Sequence, residues 1–349
     1  RKALFGFLTA LLMSAFAYAE HHEGDSNPLR LDHPDSYVVK KGDTLWDISE
    51  TFLKTPWLWP EIWQVNPQIE NPHLIYPGDT INLVYVGGKP RLTLQRGNGS
   101  RTVKLTPSVR IEPIDTVIPA IPLDAIDAFL NRSRVVDAEL LDQAAYVISG
   151  HEGRIISGSG DKLYARDSEY QSINLYSAYG VYRPSTRYVD PDTGEELGVE
   201  AFEVGLGKIV AKEDDVSTMR LNSSNEEVRL KDRLLPTEEA KVIPTFFPSS
   251  PEQEVNAKII AVLGGVSHVG QFDVVAVNLG ERENIKVGNV LAIYHAGGAV
   301  KDRIRKDVVK LPSERAGLLM IFRVFEKMSY GLVLKAQRPL AVLDELKNP

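Results

Sequence analysis

Hydrophobic and polar positions follow their clearest pattern in a stretch that begins at Tyr37. Residues 37–40 form a short aromatic and β-branched run, which favours a strand, and the turn-forming Lys41-Gly42-Asp43 ends it. Thr44 can then cap a helix, because Asp47 lies three residues further on and can complete a capping box. Behind this cap, apolar residues recur at helical spacing, at Leu45, Ile48 and Phe52.

A second helix and a second strand follow in the same stretch. Pro60 suits the first position of a helix, whose apolar face continues at Ile62, Val65 and Ile69. Thr80 to Leu83 returns as a strand after the turn-forming Tyr76-Pro77-Gly78-Asp79. The stretch therefore reads strand, helix, helix, strand, and its two strands can pair.

This order of motifs closely resembles a LysM domain. The resemblance covers about residues 37–86 and rests on YVVKKGDTLWDI at residues 37–48, on Asn66-Pro67, and on IYPGD at residues 75–79. Residues 55–63 depart from a minimal LysM domain, because the link between the helices is longer and rich in tryptophan. This link resembles a variant found in proteobacterial LysM proteins.

The resemblance implies a shallow groove that binds glycans containing N-acetylglucosamine. The sequence alone does not distinguish peptidoglycan from chitin, because both present this sugar. A glycine allows close backbone approach, and apolar side chains can meet the C–H face of a sugar. Carried onto matching positions, the glycan-binding residues are Gly42, Asp43, Thr44 and Leu45 on one side, and Asn71, Pro72, Leu74, Ile75, Tyr76 and Pro77 on the other.

All four tryptophans lie in this stretch. Trp46 and Trp63 lie on helical faces beside apolar residues, so we expect them in the core. Trp57 and Trp59 lie in the proline-bounded link, where each ring could be buried in the core or could be exposed and stack on a sugar or on a partner. The sequence leaves both alternatives open for these two.

The N-terminal region predicts export. Residues 1–19 combine a basic start, an apolar stretch and Ala17-Tyr18-Ala19, which is typical of a cleavable signal peptide, and residues 20–36 read as a disordered spacer. Because the chain has no cysteine, it has no lipid-attachment site, and we expect a periplasmic, cell-wall-associated protein without a membrane anchor after cleavage. Cleavage after Ala19 would also make His22 the third residue, which resembles an amino-terminal copper or nickel motif.

Residues 87–144 read as a connecting region. Gly87-Gly88 breaks the pattern, and Arg91 to Leu94 and residues 102–111 alternate as a predicted hairpin. Short helices are predicted at residues 123–130 and 136–143.

The remainder of the chain contains a repeat. Residues 145–182 align without gaps on residues 257–294, a shift of 112 positions that returns near the end of each unit. Both units are rich in short β-type runs separated by turns, and residues 236–256 form a linker between them. The predicted fold class is a multidomain α+β protein in which a βααβ LysM domain precedes a mainly-β region with two repeated small β-barrel-like units, residues 145–235 and 257–349. Identical pairs include Gly158 with Gly270, Asp161 with Asp273, and Asp232 with Asp344.

Catalytic patterns do not stand out. A thiol nucleophile is excluded by the absence of cysteine, and the seven histidines show no metal-ligand spacing apart from the terminal pair. We therefore expect a non-enzyme without cofactor or metal, in which acidic pairs such as Glu195-Glu196 and Asp214-Asp215 are solvated loop residues. The alternative is a cell-wall hydrolase with a LysM targeting domain and catalytic carboxylates in the β-rich region, since glycosidases need only two carboxylates.

The net charge of the chain limits the kinds of partner that we expect. The formal net charge is −7, and residues 37–86 are themselves net acidic, which argues against nucleic acid. We expect peptidoglycan as the ligand of the LysM module, and an unidentified envelope protein or a spacer role for the β-rich repeats.

Overall fold

The computed structural model describes residues 28–63, 75–96, 120–168, 172–237, 246–263, 269–295 and 297–349. Across these ranges the protein is mainly β with short helices. No helix within them is both long and apolar enough to cross a membrane. The predicted signal peptide, His22 and residues 20–27 lie outside them.

The N-terminal module has two helices and a three-stranded antiparallel sheet. Thr44 caps the first helix as predicted, because its hydroxyl accepts the amide of Asp47 at 3.2 Å and the Asp47 carboxylate accepts the Thr44 amide at 3.0 Å. The continuation of the second helix through Val65 and Ile69 lies outside the described residues. The elements are α1 (Leu45–Phe52), a 3-10 turn (Pro56–Leu58), α2 (Trp59–Ile62), β1 (Ser36–Val38), β2 (Thr80–Val86) and β3 (Lys89–Gln95).

Strand β3 differs from the sequence expectation. The sequence predicts a break at Gly87-Gly88, but these glycines, at φ +60° and +78°, form the turn of a hairpin between β2 and β3. Leu92 and Leu94 of β3 are buried in the module core, which explains why the sheet extends past the motif. The expected partner strand at residues 102–111 lies outside the described residues.

Residues 28–36 also differ from the expected spacer. Leu29 is buried and forms an antiparallel bridge with Leu53 after α1. The amide of Lys54 donates to the carbonyl of Pro28 at 2.9 Å. This flank is therefore held against the module because its apolar residue completes the core.

A connecting region precedes the β-rich part. Its helices occur near the predicted positions, and Arg323 from far along the chain donates to the backbone carbonyls of Phe129, Leu130 and Ser133. A cation at the carbonyl end of α3 is electrostatically favourable. The elements are a 3-10 turn (Leu123–Ala125), α3 (Asp127–Asn131), β4 (Ser133–Val136) and α4 (Ala138–Asp142).

The first sheet has seven strands in the order β10-β7-β5-β12-β8-β9-β4. Strand β10 also pairs with β9, so six of the strands form a continuous ring and β4 lies beside β9. A separate two-stranded ladder joins β6 to β11, and a 3-10 turn covers His151–Gly153. The strands are β5 (Ala145–Gly150), β6 (Ile156–Ser157), β7 (Lys162–Arg166), β8 (Ala178–Val189), β9 (Glu196–Glu213), β10 (Val216–Ser224), β11 (Val228–Arg229) and β12 (Arg233–Pro236).

The C-terminal part is a closed six-stranded barrel in the order β13-β14-β19-β18-β15-β20. A short hairpin of β16 and β17 projects between β15 and β18, and a 3-10 turn covers Glu281–Glu283. We call this unit the second barrel. Its elements are β13 (Asn256–Val262), β14 (Val274–Val277), β15 (Val290–His295), β16 (Ala299–Lys301), β17 (Val308–Lys310), β18 (Glu314–Val324), β19 (Ser329–Ala336) and β20 (Glu345–Lys347).

Four strands of the second barrel are buried on both faces. Alternate residues such as Val275, Leu319 and Val333 fill the barrel interior. Their neighbours belong instead to a cluster shared with the N-terminal module, which includes Trp46, Phe52 and Trp59. The N-terminal module therefore covers the outer face of the second barrel. The outward residues of these four strands in this cluster are Val274, Ala276, Val290, Ala292, Leu318, Met320, Phe322, Tyr330, Leu332 and Leu334.

Candidate glycan-binding site

Two loops meet at the end of β1, as the LysM resemblance implies. The amide of Val39 donates to the carbonyl of Asp79 at 2.9 Å, and the amide of Gly78 donates back to the carbonyl of Val39 at 2.8 Å. These two bonds hold the loop at residues 75–79 beside the loop at residues 40–45. The described part of the predicted groove is thus formed by local backbone pairing.

The first loop is ordered by the carboxylate of Asp43. It accepts hydrogen bonds from the Tyr37 hydroxyl at 3.0 Å and from the Lys40 amide at 2.8 Å. Burial, and next the hydrogen bond to Asp43, raise the pKa of Tyr37. Gly42 has φ +96° and open space where a Cβ would lie, so a ligand can approach its backbone closely.

The second loop is ordered by Asp79, whose side chain is buried. Its carboxylate accepts the Tyr76 amide at 3.1 Å and the Arg96 guanidinium at 2.8 Å. The same guanidinium lies 5.3 Å from the centre of the Tyr76 ring. Sequence reasoning missed Arg96, because it ended the module at residue 86, and only the continuation of the β pattern into β3 could have indicated it.

The predicted site residues fall into two groups by exposure. Gly42 is exposed, and Asp43, Tyr76 and Pro77 are half-buried, so these four can meet a ligand. Thr44, Leu45 and Ile75 are buried and support the two loops from below. Asn71, Pro72 and Leu74 lie outside the described residues.

The tryptophan-rich link contacts the second barrel. Trp46 and Trp63 are buried as expected, and Trp57 and Trp59 are buried too. The Trp59 ring stacks on Phe247 with centroids 6.3 Å apart, and the Arg315 guanidinium lies 5.9 Å from the centre of the Trp57 ring. Of the alternatives that the sequence leaves open for these two rings, burial is the one observed, against residues of the same chain.

The first turn of α1 also has a partner within the chain. The carbonyl of Ala120 accepts the amide of Trp46 at 3.2 Å, and Ala120 and Ile121 are buried in the core shared with the module. The first amides of a helix lack partners inside the helix, so this contact satisfies one of them. It places the connecting region directly beside the first loop of the site.

A separate cleft of about 400 Å³ lies beside β4, β8 and β9. Arg132, Arg134 and Arg323 line it together with Glu203, and burial raises the pKa of Glu203. Glu203 is the one carboxylate among the described residues lining this cleft, whereas glycoside hydrolysis uses a pair. Across the described residues, no group of three or more His, Asp or Glu side chains is arranged to hold a metal ion.

The comparisons agree with this geometry. Residues 37–84 match the LysM domain family, so the N-terminal module is a LysM domain and the predicted resemblance is confirmed. A 60-residue segment is 38% identical to a protein of Bacillus subtilis (strain 168) named uncharacterized protein YqbP, covering 14% of this chain and 27% of that relative. The chain thus spans about a quarter of the relative's length. LysM domains bind N-acetylglucosamine-containing glycans such as peptidoglycan and are associated with the cell wall or the extracellular space.

Proposed function

We propose that this chain is a non-catalytic, periplasmic protein that binds peptidoglycan through its LysM domain. The observation that carries the proposal is the pairing of the two loops in a module that matches the LysM family. Gly42, Asp43, Tyr76 and Pro77 supply the accessible contacts, together with Asn71, Pro72 and Leu74 from the resemblance. Thr44, Leu45 and Ile75 complete the groove as its support.

Recognition of this kind depends on short-range contacts. The Tyr76 ring, positioned by Arg96, offers an apolar surface to a sugar, and the backbone near Gly42 offers hydrogen-bonding groups to an acetamido group. The module is net acidic, so attraction to an anionic polymer over long range is not expected. Binding should therefore depend only weakly on salt.

We also propose that the two β-rich units are copies of one unit. The ring orders support this, because β5, β7, β8, β9, β10 and β12 follow one another as β13, β14, β15, β18, β19 and β20 do. Equivalent aspartates also make equivalent turns at the shift of 112 positions. Asp161 accepts the amide of Gly158 at 2.9 Å, and Asp273 accepts that of Gly270 at 2.7 Å.

The last turn of each unit also supports the proposal that the two β-rich units are copies of one unit. Asp232 accepts the amide of Arg229 at 2.8 Å, and Asp344 accepts the amide of Ala341 at 2.9 Å. Both aspartates are buried, so their position is set by the packing of each unit. In this proposal, the units have a partner-binding or spacing role in the envelope.

The glycan site is tested by co-sedimentation of the mature protein with purified peptidoglycan sacculi. We expect Tyr76→Ala to raise the apparent Kd for sacculi about tenfold, because loss of a well-packed aromatic contact costs on the order of 1.4 kcal/mol. Tyr85→Ala is the matched control, since Tyr85 is an exposed tyrosine of the same sheet outside the groove and should bind like wild type. Equal binding by both variants would contradict the assignment of the groove.

The same tubes distinguish binding from hydrolysis. A binder leaves the sacculi intact, whereas soluble muropeptides would support the hydrolase with carboxylates in the β-rich region. Parallel sedimentation with chitin compares the two sources of N-acetylglucosamine. Binding to neither polymer would reject the glycan-binding proposal.

A further inference from the structure

The tip of the β8–β9 hairpin, residues 187–198, reaches across to the second barrel. We call this segment the first arm. Its apolar residues Tyr188 and Leu197 are only 3% and 5% exposed. The Tyr188 ring meets the Tyr330 ring edge to face, with centroids 6.4 Å apart, and both residues belong to the cluster on the outer face of the second barrel.

Acidic residues of the first arm pair with basic residues of the second barrel. Glu195 binds Arg282 at 2.8 Å and Lys327 at 3.2 Å, and Asp192 pairs with Lys258. The first arm therefore joins the two β-rich units through an apolar centre with a charged rim.

The β16–β17 hairpin, residues 299–310, is built in the same way, and we call it the second arm. In the first arm, the carboxylate of Asp190 accepts the amides of residues 192 and 193, and the amide of Asp190 donates to the carbonyl of Glu195 at 2.8 Å. In the second arm, Asp302 accepts the amides of residues 304 and 305, and its amide donates to the carbonyl of Asp307 at 2.8 Å. Each of these bonds is reproduced at a shift of 112 positions.

The second arm differs from the first arm in exposure and in charge. Val300 and Val309, the equivalents of Tyr188 and Leu197, are 49% and 46% exposed, and Ile304 at the tip is 92% exposed. Residues 301–310 carry five basic and two acidic side chains in a protein that is acidic overall. The second arm thus presents an apolar centre with a basic rim to solvent.

The first sheet carries a surface equivalent to the one that receives the first arm. The turn between β9 and β10 is acidic, with Glu213, Asp214 and Asp215 all exposed. Lys327, which binds the first arm, stands at the position equivalent to Asp215. Val210, the equivalent of Phe322 in the shared core, is 38% exposed. The turn at this position of the first sheet is therefore acidic, where the second barrel presents Lys327. Beside the turn, exposed Arg166 of β7 forms an ion pair with Asp215 at 2.7 Å.

We propose that the second arm of one chain docks on the first sheet of a second copy, so that copies associate head to tail. The contact repeats the one that the first arm makes within each chain, with a basic arm that meets the acidic turn between β9 and β10. Because the two surfaces involved are different, the contact is heterologous and can extend into a filament or close into a ring. It goes beyond the glycan-binding role and does not depend on it.

The shift of 112 positions also indicates which side chains would meet when the second arm docks on the first sheet. The contact between Asp190 and Asn278, at 2.8 Å, becomes Asp302 with Arg166 at the shift of 112, so Asp302 would join the ion pair that Arg166 makes with Asp215. The contact between Asp192 and Lys258 becomes Ile304 with Tyr146, which is an apolar contact. Asp307 would face Asp215, and the neighbouring Arg305 and Lys306 offset this like-charge position.

Sedimentation velocity of the mature chain over a range of concentrations tests the proposal. We expect species larger than the monomer at high concentration and their loss at high salt, since exposed charges contribute to the contact. Val300→Asp with Val309→Asp should abolish the association, and so should Glu213→Lys with Asp215→Lys on the receiving surface. Val86→Asp is the control, because it places the same charge on another half-exposed valine and should associate like wild type.

Each of the two double variants keeps one intact surface, so an equimolar mixture should form heterodimers that do not grow further. Disulfide formation between two cysteine variants provides a second readout, because the wild-type chain has no cysteine. Val300→Cys is mixed with Thr218→Cys, since these two positions are equivalent to Tyr188 and Tyr330, whose rings are in contact. This mixture should form a disulfide faster than Val300→Cys mixed with Val86→Cys. A monomer at every concentration, or association that survives the arm variant, would overturn the proposal. Circular dichroism of each variant verifies that it is folded.

Discussion

Asp43 and Asp79 have the same role in the two loops of the proposed glycan-binding site: each fixes the conformation of its loop. Each carboxylate accepts a backbone amide from its own loop and one side-chain donor, Tyr37 in the first case and Arg96 in the second. Short polar side chains that bond to nearby amides are a common way to fix a turn. These carboxylates therefore set the shape of the two loops, and buried Asp79 does so from below the surface that a ligand would meet.

Glu195 shows how single charges hold the two β-rich units together. The ion pair with Arg282, and next the pair with Lys327, lower the pKa of Glu195. A carboxylate with a lowered pKa adds stability above the pKa of the unfolded chain, about 4.3, and loses this contribution as the pH falls through the pKa of the folded state. The contribution is thus present at neutral pH and absent in acid.

We expect Glu195→Gln to lower the melting temperature at pH 7 and to lose this effect in acid, as the pH falls through the lowered pKa of the folded state and the wild-type carboxylate becomes protonated too. Differential scanning calorimetry across this range measures the difference. Glu281→Gln, at an exposed glutamate of the second barrel, serves as the control and should leave the melting temperature unchanged at both pH values. A Glu195→Gln effect of equal size at both pH values would show that the ion pairs are not its cause.

At the scale of elements, the surroundings of the strands in the second barrel explain their uninterrupted apolar sequences. Runs such as VVAV in β14 and LLMIF within β18 have no polar alternation, because one set of side chains fills the barrel and the other meets the LysM domain. Such runs indicate strands that are covered on both faces. Strand β10 of the first sheet instead alternates between buried and partly exposed residues over its first six positions, so it faces the core on one side only.

Arg323 joins the connecting region to this barrel, and its replacement tests that joint. Arg323→Met removes the donor for the carbonyls of Phe129, Leu130 and Ser133, and we expect a loss of about 2 kcal/mol, since hydrogen bonds to charged groups contribute about 1.5–3 kcal/mol. Hydrogen–deuterium exchange of residues 123–136 should become faster. Arg303→Met, in the exposed second arm, is the control, and equal exchange in the two variants would contradict the role of Arg323.

The sequence predicted local elements well and long-range contacts poorly. The capping box at Thr44, the apolar face of α1 and the short helices of the connecting region all depend on neighbours within a few residues, and they occur as predicted. The role of Trp59 depends instead on Phe247, and that of Glu195 on Arg282, so neither could be read from local spacing. The candidate site shows the same difference, because Arg96 supports the second loop but lies outside the motif from which the site was predicted.

At the scale of the whole molecule, the LysM domain is part of the β-rich body. Trp57, Trp59 and the ion pair between Glu50 and Lys335 join it to the second barrel, and the two share one apolar cluster. A glycan bound at the loops is thus held at a fixed orientation to the barrels.

This arrangement predicts a single unfolding transition for the LysM domain and the second barrel. All four tryptophans lie in the LysM domain, so tryptophan fluorescence follows that domain, whereas far-ultraviolet circular dichroism is dominated by the strands of the β-rich units. We expect coincident midpoints in urea, which is the usual test of cooperativity. Phe247→Ala should lower the fluorescence midpoint, and Phe272→Ala, at an exposed phenylalanine elsewhere on the barrel, should not. Two well-separated wild-type midpoints would show that the domain is independent.

The closure of the second barrel by β20 also determines the order in which parts of the protein can fold during synthesis. Strand β20, at residues 345–347, pairs with both β13 and β15, so the barrel cannot close until residue 347 has been synthesised. The LysM domain is synthesised before the second barrel, whose outer surface covers its tryptophans. Its apolar side is therefore exposed for most of chain elongation, and such exposure favours aggregation unless another protein shields it. Removal of residues 345–347 would accordingly affect the LysM domain, although the two lie far apart in the sequence.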